Sequence, residues 1–218
     1  MNLYFLSGLG ADYRVFANLT LPDEYNIIHI KWIEPLKNDT LQQYAFKLSK
    51  NIDLSKPFCL IGVSFGGIIA TELSKIVYPK KTIIISSIST HHQMPWYFII
   101  PRILKPYLFV PEKWIRSDNA ITCRIFGIKS TEDSKLLKQI LDDTDITFLN
   151  WAMTRLLNWK HDKAIPDLIH IHGTSDHIFP VRYIKPDISI DTDGHFMVFN
   201  KAAEISEILS QALSKAKG

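Results

Sequence analysis

Three residues of this chain have the types and surroundings that acyl transfer requires. Ser64 lies in Gly62-Val63-Ser64-Phe65-Gly66, directly after an apolar run and at the start of a helical pattern. A nucleophile on a sharp strand-to-helix turn holds strained backbone angles. Glycines flank such a serine because side chains there would collide where strand and helix approach closely. The turn lifts the hydroxyl clear of the backbone and sets it at a helix N-terminus, where partial positive charge favours a developing anion. A serine hydroxyl is a weak nucleophile near neutral pH and needs a histidine to take its proton. The histidine needs a buried carboxylate on its other nitrogen. Asp176, in His172-Gly173-Thr174-Ser175-Asp176, and His195, in Asp193-Gly194-His195-Phe196, each follow a later strand-like run.

Other residues fit less well. His177 adjoins Asp176 and is expected to point away from it. His170 and His172 fall within a strand and read as structural. Asp191 and Asp193 stand too near His195 to reach round it and read as turn formers. His91 and His92 would need a third ligand to hold a metal, and the sequence offers no evident partner. No metal and no cofactor are expected. A second turn, Ser7-Gly8-Leu9-Gly10, follows the first apolar run. Glycines at alternate positions let its backbone bend tightly and aim N–H groups inward, in an anion-binding turn or in a plain one.

Short apolar runs alternate with helical patterns, the mark of a parallel sheet covered by helices. The runs are Leu3–Leu6, Asn26–Lys31, Phe58–Gly62, Thr82–Ser86, Leu168–His172 and, more weakly, Asp187–Ile190. The expected fold class is therefore α/β, with a mostly parallel sheet of about six strands. Helices are expected over Thr40–Asn51, Ser64–Val77 and Ala202–Leu213. The alternation breaks between about residues 90 and 160, where Pro95, Pro101, Pro106 and Pro111 cut the first half into short pieces. This stretch reads as a helical insertion over the sheet of a single domain spanning 1–218.

These motifs carry a resemblance. Over nearly its whole length the chain resembles the α/β-hydrolase superfamily, through Gly62-Val63-Ser64-Phe65-Gly66-Gly67, His172-Gly173-Thr174-Ser175-Asp176 with Pro180, and Asp193-Gly194-His195-Phe196. The order nucleophile, acid, base is that of the family. The resemblance implies a Ser64–Asp176–His195 triad, an oxyanion hole from the N–H groups of Leu9 and Phe65, and a cap at about residues 90–160. Ser7 departs from the family pattern, which usually has histidine before the first glycine of this loop. The first strand already carries the loop that would supply the oxyanion hole, so a minimal member without the family's usual N-terminal strand pair is expected.

Size and charge narrow the function classes. The 218 residues are 46% hydrophobic, enough for a sizeable core without disulfides or metals. The formal net charge of +3 includes no dense basic run, so nucleic acid is not an expected partner. No apolar run of about 18 residues exists and the N-terminus lacks a signal-peptide pattern, so no membrane association and a cytoplasmic location are expected. Cys59 sits in an apolar run that suits a buried thiol, and the two cysteines suggest no disulfide framework. Trp96, Tyr97, Phe98, Tyr107, Phe109 and Trp114 could line an apolar acyl pocket, or serve as the insertion's own core. The first reading gives hydrolysis of a small or medium hydrophobic carboxylic ester through an acyl-enzyme. The alternatives are a thioesterase or acyltransferase, or a catalytically silent hydrolase fold that binds a ligand.

Overall fold

The computed structural model describes residues 1–117, 120–128 and 130–215. Six strands, β1 (Asn2–Leu6), β2 (Asn26–His29), β3 (Phe58–Val63), β4 (Lys81–Ile85), β5 (Leu168–Gly173) and β6 (Ile188–Ile190), form one sheet in the order β2-β1-β3-β4-β5-β6. Every pairing is parallel. The strands alternate their side chains between two buried faces, as period-two geometry requires. Tyr4, Leu6 and Leu60 point into one core cluster, and Leu3, Phe5, Cys59, Ile61 and Val63 into the other. Each large aliphatic chain so buried contributes roughly 1.5–3 kcal/mol. β2 is less buried than its apolar letters suggest, because it is an edge strand: Ile27 is exposed.

The helices α1 (Leu41–Ser49) and α2 (Phe65–Val77) cover the first face. α1 opens with a capping box, in which the Thr40 and Gln43 side chains each accept the other's backbone N–H. Between β4 and β5 the chain makes a helical excursion through α3 (Ile99–Leu104), α4 (Glu112–Ile115), α5 (Ala120–Phe126), α6 (Thr131–Asp142) and α7 (Ile146–Leu157). No strand interrupts it among the described residues. α6 and α7 are each closed at the start by a side-chain cap, Ser130 and Asp145. After β6 come α8 (Met197–Asn200) and α9 (Ala202–Ser214), and α9 buries Ile205, Leu209 and Leu213 against the second face.

The strand order fixes where a site can form. From β1 the chain steps outward to β2, then crosses back to the other side of β1 for β3. Loops leaving β1 and β3 therefore diverge to opposite faces and leave a crevice at their carboxyl ends, the usual ligand position in open α/β sheets. Ser64 and the Ser7–Gly10 turn stand at those two ends.

Candidate active site

Ser64 occupies the turn between β3 and α2 with φ 54° and ψ −120°, a conformation that L side chains rarely adopt. The surroundings hold this strain in place. The Ser64 N–H donates to the Ile85 carbonyl at the end of β4 (2.9 Å), and the Ser64 carbonyl accepts from the Ser87 hydroxyl (2.7 Å). A Cβ at Gly62 would stand 2.3 Å from the Gly66 carbonyl oxygen, and one at Gly66 would stand 2.3 Å from the carbonyl oxygens of Leu6 and Ser7. Both glycines are thus required by backbone approach, at strand against helix and at helix against the end of β1.

The turn after β1 lies directly against Ser64, since a Cβ at Gly8 would meet that of Ser64 at 3.5 Å. Ser7, standing where the resembled family usually has histidine, closes this loop itself: its hydroxyl donates to the Ala11 carbonyl (2.7 Å). The Thr144 hydroxyl braces the far side through the Gly10 carbonyl (2.8 Å). The Phe65 N–H opens α2, where no preceding turn supplies a carbonyl. Leu9 borders the cavity in front of Ser64.

Asp176 follows β5 and His195 follows β6, and the two loops are tied together. The Ser175 N–H donates to the Asp193 carbonyl (2.9 Å) and the Thr192 N–H to the Thr174 hydroxyl (3.0 Å). His195 Nδ1 lies 2.7 Å from Asp176 Oδ2, and His195 Nε2 lies 2.8 Å from Ser64 Oγ. The three residues named from sequence therefore meet in one hydrogen-bonded line. Asp176 Oδ1 accepts the N–H groups of Ile178 (2.8 Å) and Phe179 (2.9 Å). Burial pushes the Asp176 carboxyl up. The His195 and His172 rings and the Phe179 N–H more than offset this and hold it below the usual carboxylate range. An ionised Asp176 places the proton on His195 Nδ1 and leaves the Nε2 lone pair facing the hydroxyl.

The remaining histidines and acids take other places. His177 is exposed and makes no contact with Ser64 or His195 among the hydrogen bonds of the site. His172 is buried, its Nε2–H donates to the Phe179 carbonyl (2.7 Å), and burial pushes its pKa down. His170 is pushed down to about 3 by burial and by His172. Asp193 is fully buried and holds its turn through the Gly194 N–H (2.8 Å).

Two expectations need correction. The cavity beside Ser64 measures about 50 Å³, and its wall includes Val15, Phe126, Leu137, Ile140, Leu141 and Val198. None of Trp96, Tyr97, Phe98, Tyr107, Phe109 and Trp114 borders it. Trp96, Phe109 and Trp114 are exposed, Phe98 stacks on Phe179, and the Tyr107 hydroxyl pairs with Thr154. The excursion brings its second half, α5 and α6, over the serine. Its proline-broken first half stays off that cavity and reaches the other side of the site, through Phe98 on Phe179 and Tyr97 beside the Asp176 loop. The third partner missing for His91 and His92 is Asp162, whose Oδ1 lies 3.6 Å from His91 Nδ1 and 3.4 Å from His92 Nε2. A metal there would have to displace the 3.0 Å hydrogen bond from His91 Nδ1 to the His161 carbonyl. As placed, the group clasps the two ends of the excursion together.

Ser87 and the α6 side chains escaped the sequence reading. The serine run after β4, Ser86-Ser87, was the available signal for the first. Nothing in the spacing of Leu137, Ile140 and Leu141 distinguishes a cavity wall from an ordinary buried helix face.

With this geometry in hand, solved structures show what it resembles. The chain is similar to MenH from S. aureus (TM-score 0.78, 14% identity, 100% of this chain and 95% of that one). It is also similar to a bromoperoxidase from Bacillus anthracis (0.76, 14%, 98% and 91%) and to an esterase from Exiguobacterium antarcticum (0.74, 16%, 100% and 92%). No family model matches the sequence, and no curated protein matches it significantly. The chain has the α/β-hydrolase fold. The differing activities of these relatives show that the fold alone does not choose the reaction.

Proposed function

We propose that this protein is a serine hydrolase that cleaves a small hydrophobic carboxylic ester through an acyl-enzyme. The observation that carries the reading is the continuous line Ser64 Oγ–His195–Asp176, at 2.8 and 2.7 Å, on a strained nucleophile turn. Ser64 attacks the carbonyl carbon while His195 Nε2 takes the hydroxyl proton. The ionised Asp176 keeps the ring oriented and stabilises the imidazolium. The N–H groups of Leu9 and Phe65 would receive the oxyanion, and the positive end of α2 favours its charge. His195 then protonates the departing alkoxide. Water, deprotonated by the same ring, releases the acid and regenerates Ser64.

The cavity deepens the reading. Its small volume of about 50 Å³ and its aliphatic wall favour a short apolar acyl group. That esterases are among the structural relatives supports the ester assignment. The test is a panel of p-nitrophenyl acetate, butyrate, octanoate and laurate beside the matching coenzyme A thioesters. kcat/KM should be greatest for the short esters, and Ser64→Ala should lower kcat by about 10⁴-fold. Turnover that survives Ser64→Ala would overturn the mechanism, and a preference for thioesters would overturn the substrate class.

A further inference from the structure

Large hydrophobic side chains are exposed very unevenly over this molecule. Of the fifteen that stand exposed among the described residues, nine fall between Trp96 and Trp114, and the other six are scattered. Trp96 is 70% exposed and Phe109 82%, with Ile103, Leu104 and Trp114 close behind. A patch of this kind on a folded domain marks an interaction surface.

Charge is concentrated in the same stretch. Residues 95–116 hold four cations, Arg102, Lys105, Lys113 and Arg116, against one acid, Glu112. This segment alone therefore accounts for the chain's formal net charge of +3, and the rest is neutral. Arg116 turns back to Glu112 (2.7 Å) and to the carbonyls of Leu141 and Thr144. Arg102, Lys105 and Lys113 are exposed in the same stretch of chain as the apolar side chains.

The combination points to an anionic lipid surface. Aromatic and aliphatic side chains enter the headgroup boundary, and neighbouring cations meet the lipid phosphates. Prolines at 95, 101, 106 and 111 keep the segment in short helices and turns, none long enough to cross a bilayer. A second copy of the chain fits less well. A twofold contact sets a patch against itself, and would bury two copies of the same net positive surface against each other. The patch is also rooted near the triad: Phe98 stacks on Phe179 (6.0 Å), whose ring lies 5.8 Å from that of His195. The geometry points to the 96–114 segment as an interfacial element that docks the protein on anionic membrane.

Sedimentation with phosphatidylcholine vesicles, alone or mixed with phosphatidylglycerol, tests this without any activity readout. Ser64→Ala should bind as the wild type does, so failure of the esterase reading leaves this result untouched. Binding should strengthen on the order of a hundredfold with phosphatidylglycerol, about fivefold for each of three cations. The double substitution Phe109→Ser and Trp114→Ser should weaken it by tenfold or more with an unchanged circular dichroism spectrum. No binding to the anionic vesicles, or binding that the double variant retains, would overturn the proposal. So would self-association in analytical ultracentrifugation that the double variant abolishes, which would make a second copy the occupant.

Discussion

At the scale of single residues, the proposed relay depends on Asp176 remaining charged in a buried place. Asp176→Asn keeps the size and can still accept the Ile178 and Phe179 N–H groups. It presents no charge to His195 Nδ1 and allows the wrong tautomer. kcat should fall about 10³–10⁴-fold with little change in KM, as steady-state kinetics on a short ester would show. Unaltered kcat would mean that Asp176 only shapes its loop. Serine, acid and histidine were all legible in the sequence because each sits in a motif local to one strand end. Ser87 was not, because its hydrogen bond to the Ser64 carbonyl depends on β4 lying beside β3.

At the scale of elements, the excursion between β4 and β5 must be fixed to the sheet layer at both ends. Trp159, just beyond α7, donates its indole N–H to the buried Glu72 carboxylate of α2 (2.7 Å), and Lys75 completes the group (2.8 Å). Glu72→Ala leaves that indole N–H without its acceptor and should cost about 1–3 kcal/mol in urea unfolding. Glu72→Gln, which keeps an acceptor, should cost less. Equal losses in the two variants would show that packing, not the hydrogen bond, holds this end. The strands and the main helices were legible because their periodicity is set by one neighbouring layer. Leu41, Tyr44, Ala45 and Leu48 of α1, for example, are all buried. The interior of the excursion was not legible. Its aromatic letters suggested a pocket wall, yet the wall comes from Leu137, Ile140 and Leu141 on α6.

At the scale of the whole molecule, buried histidines tie stability to pH. His170 holds a pKa of about 3 when folded, against 6.5 for a free imidazole, and burial lowers His172 as well. Between those values the unfolded chain binds protons that the folded chain refuses. Stability should therefore fall as pH drops below about 6.5, by up to roughly 1.4 kcal/mol per pH unit for each such histidine. Asp176, held low when folded, adds a loss of the same sign as pH falls through the ordinary carboxylate range. Urea midpoints at pH 7, 5.5 and 4.5 should decline in order, and a flat series would contradict the buried neutral imidazoles. Average composition was a poor guide at this scale. A net charge of +3 hid its own placement: the excess falls in residues 95–116 of the sequence, and only the structure shows that most of the exposed large apolar side chains stand in the same segment. The relay between Ser64 and His195 is the claim on which the functional reading rests, and intact mass after treatment with a fluorophosphonate tests it most directly. One adduct per chain should form on the wild type, none on Ser64→Ala, and His195→Ala should react orders of magnitude more slowly. A wild-type protein that stays unlabelled, or a Ser64→Ala variant that gains the adduct at the same rate, would contradict it.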